Sequence, residues 1–432
     1  MKPILFTILF ISTGTVCFPQ SVAHQRSAAM AKGVNLAGWL EFAPVNPMRF
    51  VKSDFYDFAE AGFSTVRMPV RFAAYLDSSA PYALDTSALA FQMMDSVIAW
   101  SRELGLHVII DNHHGWEALG NSNYPDAISR MGAMWRQVAE RYKHLNPDSV
   151  FFEVINEPSY FLSGQPFTDF MQAMIDTIRL HAPNHTIIVS APWAGSQVGF
   201  NYLTPFPDTN LIYTFHFYTP LNFTHQGATW TPVYFPIGRT FPENGNEQGV
   251  AEQFNLAAGW MAQYQKPVFL GEFGVIAYAD SASRCNWISL IGSLIDAANL
   301  SWAYWDWASP GNINFGFFND RDAAPENTIP CFGEALRLYG MEPSSAQTRE
   351  NEFDMHIFPN PANGECLITF PPLNGLDVPV IFIYNSLGQV VFSSPLSQEK
   401  TLLNISALHS GLYFAEIYSG GGRLTGKKLL IR

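Results

Sequence analysis

Cysteine is scarce in this chain, with 4 in 432 residues. So few cannot build a disulfide scaffold, and the fold must rest on a packed core. Positive charge is also short. Lys+Arg total 24 against 37 Asp+Glu, for a formal net charge of −13. Nucleic acids and anionic membranes reward clustered cations, so neither is expected as a partner. Beyond the N-terminus no apolar run approaches membrane-spanning length. There is no HExxH and no Cys/His set with zinc spacing, so no metal is expected. What remains open is an uncharged ligand.

Apolar and aromatic residues are plentiful. Hydrophobic residues make up 48% and aromatics 15%, with 11 Trp. A large core is affordable, and the indoles exceed what packing alone demands. The start, "MKPILFTILFISTGTVCFPQSVAHQ", has a positive Lys2, an apolar run from Ile4 to Val16 and a small-x-small site at Ser21-Val22-Ala23. This predicts a signal peptide over 1–23 and export, the run being too short to span a membrane. Cys17 leaves with that peptide. Cys285, Cys331 and Cys366 remain, so one must stay unpaired, and Cys285–Cys331 is the candidate bridge.

From residue 33 onward, strand-like runs alternate with amphipathic stretches. The runs are "GVNLAG" (33–38), "TVRMPV" (65–70), "HVIIDNHH" (107–114), "VFFEVINEP" (150–158), "TIIVSAPW" (186–193), "LIYTFHFY" (211–218), "PVFLGEFG" (267–274) and "WAYWDW" (302–307). Helices are expected over 86–104, 129–145, 166–181, 247–264 and 283–298. In the first, Leu89, Met93, Val97 and Trp100 share one face. Eight such repeats predict an α/β (β/α)8 barrel over 31–340, with a doubly wound sheet as the alternative. Polar residues cluster at the strand tips, and in a barrel those tips converge on one mouth. After a polar linker (341–353), short alternating strands with Asn/Gly turns predict a small all-β, sandwich-like domain over 354–432.

Two tips carry carboxylates, Glu157 on strand 4 and Glu272 on strand 7. Facing each other across the mouth, such a pair supplies a proton donor and a nucleophile for glycosidic cleavage. Arg67 would hold a nearby carboxylate ionised. Asn156 could bond a sugar hydroxyl. His216 and Tyr218 share one face by the period of two and could orient the acid and the nucleophile. In "DNHHGW", His113 and His114 point to opposite sides of a strand. That argues against one shared ion and for hydrogen bonds to sugar or to the carboxylates. Trp305 could stack on a pyranose ring. Trp39, Trp116, Trp193 and Trp230 are weaker candidates for the same task.

"RMPV", "DNHH", "INEP", "HFY", "GEFG" and "AYWDW", in this order, resemble glycoside hydrolase family 5. The resemblance covers about 31–340. It implies Glu157 as acid/base and Glu272 as nucleophile. It also implies Arg67, His113, His114, Asn156, His216, Tyr218 and Trp305 as the remaining cleft residues, in a retaining double displacement without cofactor. Glu41, in "GVNLAGWLE", falls where some members touch sugar. The implied substrate is a β-1,4-linked polysaccharide, first an endoglucanase substrate such as cellulose. Mannan, lichenan and xyloglucan are alternatives within the family, and a catalytically silent carbohydrate-binding protein is the alternative outside enzymes. "FPNPA", "YNSLGQVV", "GLYFAEI" and a basic end resemble the C-terminal sorting domain of Bacteroidetes type IX secretion cargo. This implies the type IX machinery as partner and a secreted or cell-surface location. A monomer is expected.

Overall fold

The computed structural model describes residues 21–42, 45, 49–115, 124–158, 163–307, 315–317, 331–338, 355–370, 378–385, 389–396, 398, 400–419 and 422–432. The first unit runs α1 (Val22–Met30), β1 (Lys32–Asn35), α2 (Lys52–Glu60), β2 (Thr65–Val70), α3 (Leu89–Glu103), β3 (His107–Asn112), α4 (Tyr124–Tyr142), β4 (Val150–Glu153), α5 (Gly164–His181) and β5 (Ile187–Ser190). It continues with β6 (Leu211–Phe217), α6 (Glu247–Tyr264), β7 (Val268–Phe273), α7 (Ser281–Ala298), β8 (Ser301–Tyr304) and α8 (Phe332–Leu336). The eight strands pair in order and close into a parallel barrel, with β1 joined to both β2 and β8. The doubly wound alternative is therefore excluded. Strands covered on both faces read as continuous apolar runs, and every residue of β2, β6 and β7 is buried.

On α3, Met93, Val97 and Trp100 are buried as the helical period predicts. Leu89 is 36% exposed, because it opens the helix before its first turn reaches the barrel. The strands themselves stop earlier than the apolar runs suggested. β4 ends at Glu153, so Asn156 and Glu157 sit in the segment that leaves it.

Helix α1 was not legible in the sequence, since "VAHQRSAAM" carries no apolar stripe. It closes the floor of the barrel. Ala23 and Met30 pack on Ile109, Phe151, Ile188, Ile212, Phe269 and Ala303, all fully buried. Arg26 pins it, with Nη2 2.7 Å from Asp148 Oδ1 and Nη1 2.7 Å from the Asn184 carbonyl and 2.9 Å from Thr186 Oγ1. Ser21 caps the helix by accepting from the His24 N–H. A signal boundary after Ala23 would therefore cut inside a packed helix. Residues 1–20 lie outside the described residues.

Cys285 and Cys331 form the disulfide, tying α7 to the residue before α8 with their Cα atoms 5.8 Å apart. Cys366 is free and buried. The linker at 341–353 lies outside the described residues. Beyond it are β9 (His356–Asn363), β10 (Glu365–Thr369), β11 (Val380–Tyr384), β12 (Val390–Pro395), β13 (Lys400–Asn404), β14 (Gly411–Ser419) and β15 (Gly422–Ile431). Their order is β12-β11-β14-β15-β9-β10-β13, antiparallel except for the β15–β9 contact. Ile368, Leu403, Ile383, Ile417 and Leu429 meet in one core from both halves. This is the small all-β unit expected, stabilised by apolar burial.

Candidate active site

Arg67 is the hub of the site. It is fully buried on β2, where the barrel interior offers a guanidinium no water. It is satisfied instead by side chains from five places on the rim. Nε and Nη2 donate to the two Glu153 oxygens at 2.8 and 2.9 Å, a bidentate fork. Nη1 donates to Asn35 Oδ1 at 2.9 Å and to Glu272 Oε1 at 2.7 Å. Nη2 also reaches Asn156 Oδ1 at 2.6 Å and Asp111 Oδ2 at 3.0 Å. Burial pulls the Arg67 pKa down, but Asp111, Glu153 and Glu272 outweigh it, and the charge is held well above the ordinary range.

Glu153 escaped the sequence reading. It stands within the apolar run "VFFEV", and the signal was its type: an acid in a buried strand needs a cation. Burial pushes its carboxyl up while Arg67 pulls it down. Asn35 was also missed. Its amide donates to the Gly271, Ala303 and Tyr304 carbonyls, so it ties β1 to β7 and β8 beneath the catalytic tips.

Glu272 has a side chain only 5% exposed. Arg67 takes one oxygen, and the Tyr218 hydroxyl donates to the other at 3.0 Å. A register irregularity between Phe215 and His216 sets His216 opposite Glu272. His216 Nδ1 then lies 2.8 Å from Glu157 Oε1 and 3.5 Å from Glu272 Oε2. Burial lowers the His216 pKa, so the ring is neutral at neutral pH. Donor atoms of Glu157, His216 and Glu272 all lie within 4.8 Å of one another. Among the described residues this is also the one group able to hold a metal ion, and an ion there would engage both carboxylates. The Glu157 side chain keeps 41% of its surface open. Loss of solvation in the cleft still pushes its carboxyl up, against opposing pulls from His113 and Arg67.

His113 and His114 leave β3 in a turn. They do not splay apart as an extended strand would require. Their rings meet edge to face at 5.1 Å. His113 Nδ1 lies 2.7 Å from Asp111 Oδ2, and burial drives the His113 pKa down to about 3. The neutral ring stacks on Trp305 with centroids 5.4 Å apart and planes 8° from parallel. Trp305 thus stands across the mouth from β3, as a partly exposed indole.

The other indoles divide. Trp39 is 1% exposed and packs on Phe50, so it belongs to the core and offers sugar no face. Trp116 lies outside the described residues. Trp193 is half-buried beside Tyr202, and Trp230 is 52% exposed. Glu41 is buried, and its two oxygens accept from the Gly38 and Trp39 N–H groups at 2.5 and 3.1 Å. These bonds hold the loop after β1. Burial raises its carboxyl to about 7.

Comparison with known proteins fits this geometry. The family model for cellulase (glycosyl hydrolase family 5) matches residues 28–311. A secretion system C-terminal sorting domain matches residues 356–432. Endoglucanase 3 of Fibrobacter succinogenes is 27% identical over 330 residues, covering 66% of this chain and 50% of that protein. Endoglucanase H of Acetivibrio thermocellus is 30% identical, covering 64% of this chain and 29% of its own length. The chain therefore spans half or less of these two relatives. Cellodextrinase A of Ruminococcus flavefaciens is 28% identical, covering 64% and 85%. Among solved structures, Thermotoga maritima Cel5A in complex with cellobiose superposes with a TM-score of 0.65 at 30% identity, covering 73% of this chain and 99% of that one. A hyperthermophilic endo-beta-1,4-glucanase in complex with substrate gives 0.66 at 29% identity, with the same coverage. An eight-stranded barrel that gathers three carboxylates on one buried arginine and a matching family model over 28–311 place the chain in the cellulase family, glycosyl hydrolase family 5, with a secretion system sorting domain over 356–432.

Proposed function

We propose that this chain is an exported endo-β-1,4-glucanase working by double displacement, with Glu157 as acid/base and Glu272 as nucleophile. One observation carries the mechanism: oxygens of the two carboxylates lie within 4.8 Å of each other. Retaining enzymes hold their carboxyls about 5–5.5 Å apart, whereas inverting ones need about 6.5–9.5 Å to seat a water. Burial raises the Glu157 carboxyl above its ordinary range, which favours the protonated form that a leaving oxygen needs. Glu272, aimed by Arg67 and Tyr218, attacks the anomeric carbon from the opposite side. Glu157, now ionised, takes a proton from the water that releases the sugar. His216 lies between the two, with Nδ1 2.8 Å from Glu157 Oε1 and 3.5 Å from Glu272 Oε2, and burial lowers its own proton affinity so that it competes less for the Glu157 proton. Arg67 occupies the Asn156 amide oxygen, which leaves the NH2 for a sugar hydroxyl. Trp305 supplies the stacking face.

The relatives support a β-glucan substrate: two are named endoglucanases, and a similar solved structure holds cellobiose. The same Thermotoga enzyme has also been solved with mannotriose, which keeps β-mannan as the second substrate to test. The sorting domain supports export through the type IX machinery. The division into a barrel over 31–340, a linker and a module from 354, and a monomeric state, belong to this proposal. Reducing-sugar release from carboxymethyl-cellulose, lichenan and glucomannan tests it, with Glu272→Ala as control. Glucans should be cleaved fastest, and the control should be silent. Wild type as inactive as the control on every substrate would end the hydrolase proposal.

A further inference from the structure

Strand β6 carries an inward hydroxyl that the chemistry above leaves unused. Tyr213, Phe215 and Phe217 turn outward, where their rings pack on Trp260 and Phe254 of α6. By the period of two, Ile212, Thr214 and His216 turn inward. Ile212 lies in the apolar floor with Ile188 and Phe269. His216 stands in the catalytic layer, with Nδ1 2.8 Å from Glu157 Oε1. Thr214 is the step between the two, and it is buried. Valine would fill the same space there without a polar atom to desolvate.

The hydroxyl has a counterpart on the same strand. Thr214 Oγ1 and His216 Nε2 are both buried, and neither has a hydrogen-bond partner among the described residues. The two atoms also converge. A Cβ on Gly271 of β7 would lie 2.7 Å from Thr214 Oγ1 and 3.2 Å from His216 Nε2. Both therefore look onto the same bare patch of β7, near enough for one water to join them. The other side of the ring is taken. Glu157 and Glu272 face Nδ1, while Arg67 and Glu153 act on the ring by charge.

A neutral imidazole has one N–H, and its place decides what Glu157 meets. A proton on Nδ1 donates to Glu157 and favours the ionised carboxylate. A proton on Nε2 leaves Nδ1 to accept from the Glu157 O–H and favours the acid. The second arrangement needs an acceptor at Nε2, because a buried N–H without a partner is disfavoured. We propose that Thr214 is a positioning residue that holds the His216 proton on Nε2 through one bridging water. Glu157 then meets an acceptor at Nδ1 and is kept in its protonated form. The inference rests on the glycosidase reading above and adds a residue to its acid/base half.

The test uses the full chain and two substrates. Cellotetraose has a leaving oxygen that needs a proton, whereas the leaving group of 2,4-dinitrophenyl β-cellobioside departs without one. Thr214→Val keeps the shape and removes the hydroxyl, and Thr214→Ser keeps the hydroxyl. In Thr214→Val, kcat/KM on cellotetraose should fall about fivefold, the effect of one hydrogen bond. On the aryl glycoside it should stay within about twofold of wild type. Thr214→Ser should recover the cellotetraose rate. Nitrogen NMR of labelled histidine, with the His216 signals identified by their loss in His216→Asn, should place the proton on Nε2 in wild type. An equal fall on both substrates overturns the proposal, since Thr214 would then only support the strand. So does an unchanged cellotetraose rate in Thr214→Val, a failure of Thr214→Ser to recover it, or a wild-type proton on Nδ1. The wild-type spectrum decides even where the valine variant does not fold. Wild type inactive on both substrates would instead refute the hydrolase function on which the proposal stands.

Discussion

Arg67→Lys is the most informative single change. Arg67 donates five hydrogen bonds in the buried site, to Glu153 twice, Asn35, Glu272 and Asn156. Lysine keeps the charge but has one nitrogen and three N–H donors. At least two bonds must go. A hydrogen bond to a charged partner contributes about 1.5–3 kcal/mol, so the total loss is about 3–6 kcal/mol. Some of that falls on folding, through Glu153 and Asp111. The rest falls on the transition state, through the aim of Glu272. Urea unfolding gives the first share and kcat/KM the second, and their sum should reach that range. A sum below about 1 kcal/mol would refute the assignment of Arg67 as the hub, because no rearrangement of one ammonium reproduces the fork.

Three further outcomes are expected. Gly271→Ala places a methyl 2.7 Å from Thr214 Oγ1 and 3.2 Å from His216 Nε2. It should displace His216 and lower kcat/KM by about 10²-fold, in a chain that circular dichroism shows to be folded. Cys285→Ser opens a cross-link spanning 46 residues and should cost about 4 kcal/mol in urea unfolding with little change in kcat. Glu41 binds its proton more tightly when folded, at about 7 against its ordinary 4.5. Its contribution is full below pH 4.5 and is lost as pH rises through 7, a loss of about 3 kcal/mol. Unfolding free energy measured across that window should therefore be flatter in Glu41→Gln.

Much of this was legible in the sequence because catalytic barrels place their chemistry at strand ends. Apolar runs of the right length carried Arg67 within β2 and led to Glu157, His216 and Glu272 at or just past their ends, and the barrel's closure brought those four together. The strand boundaries were less legible, because the segments leaving β4 and β8 stay apolar and buried after pairing stops, as at Val154 and Ile155. Helix α1 was hidden for the opposite reason. It buries small and polar residues against a floor made by distant strands, so its own period carries no signal. Glu153 was readable in principle as an acid inside an apolar strand. Its partner sits 86 residues earlier, and only the barrel's closure reveals the pair. The His113–His114 pair was misjudged because strand alternation was applied to a turn.

The central claim is that Glu157 and Glu272 act in a double displacement. The direct measurement is the anomeric configuration of the first product, followed by proton NMR from the moment enzyme meets a β-linked cello-oligosaccharide. Two inversions return the original configuration, so the new reducing end should first appear as the β anomer and then mutarotate. The α anomer appearing first would mean a single displacement by water. That result would contradict the roles assigned to both carboxylates.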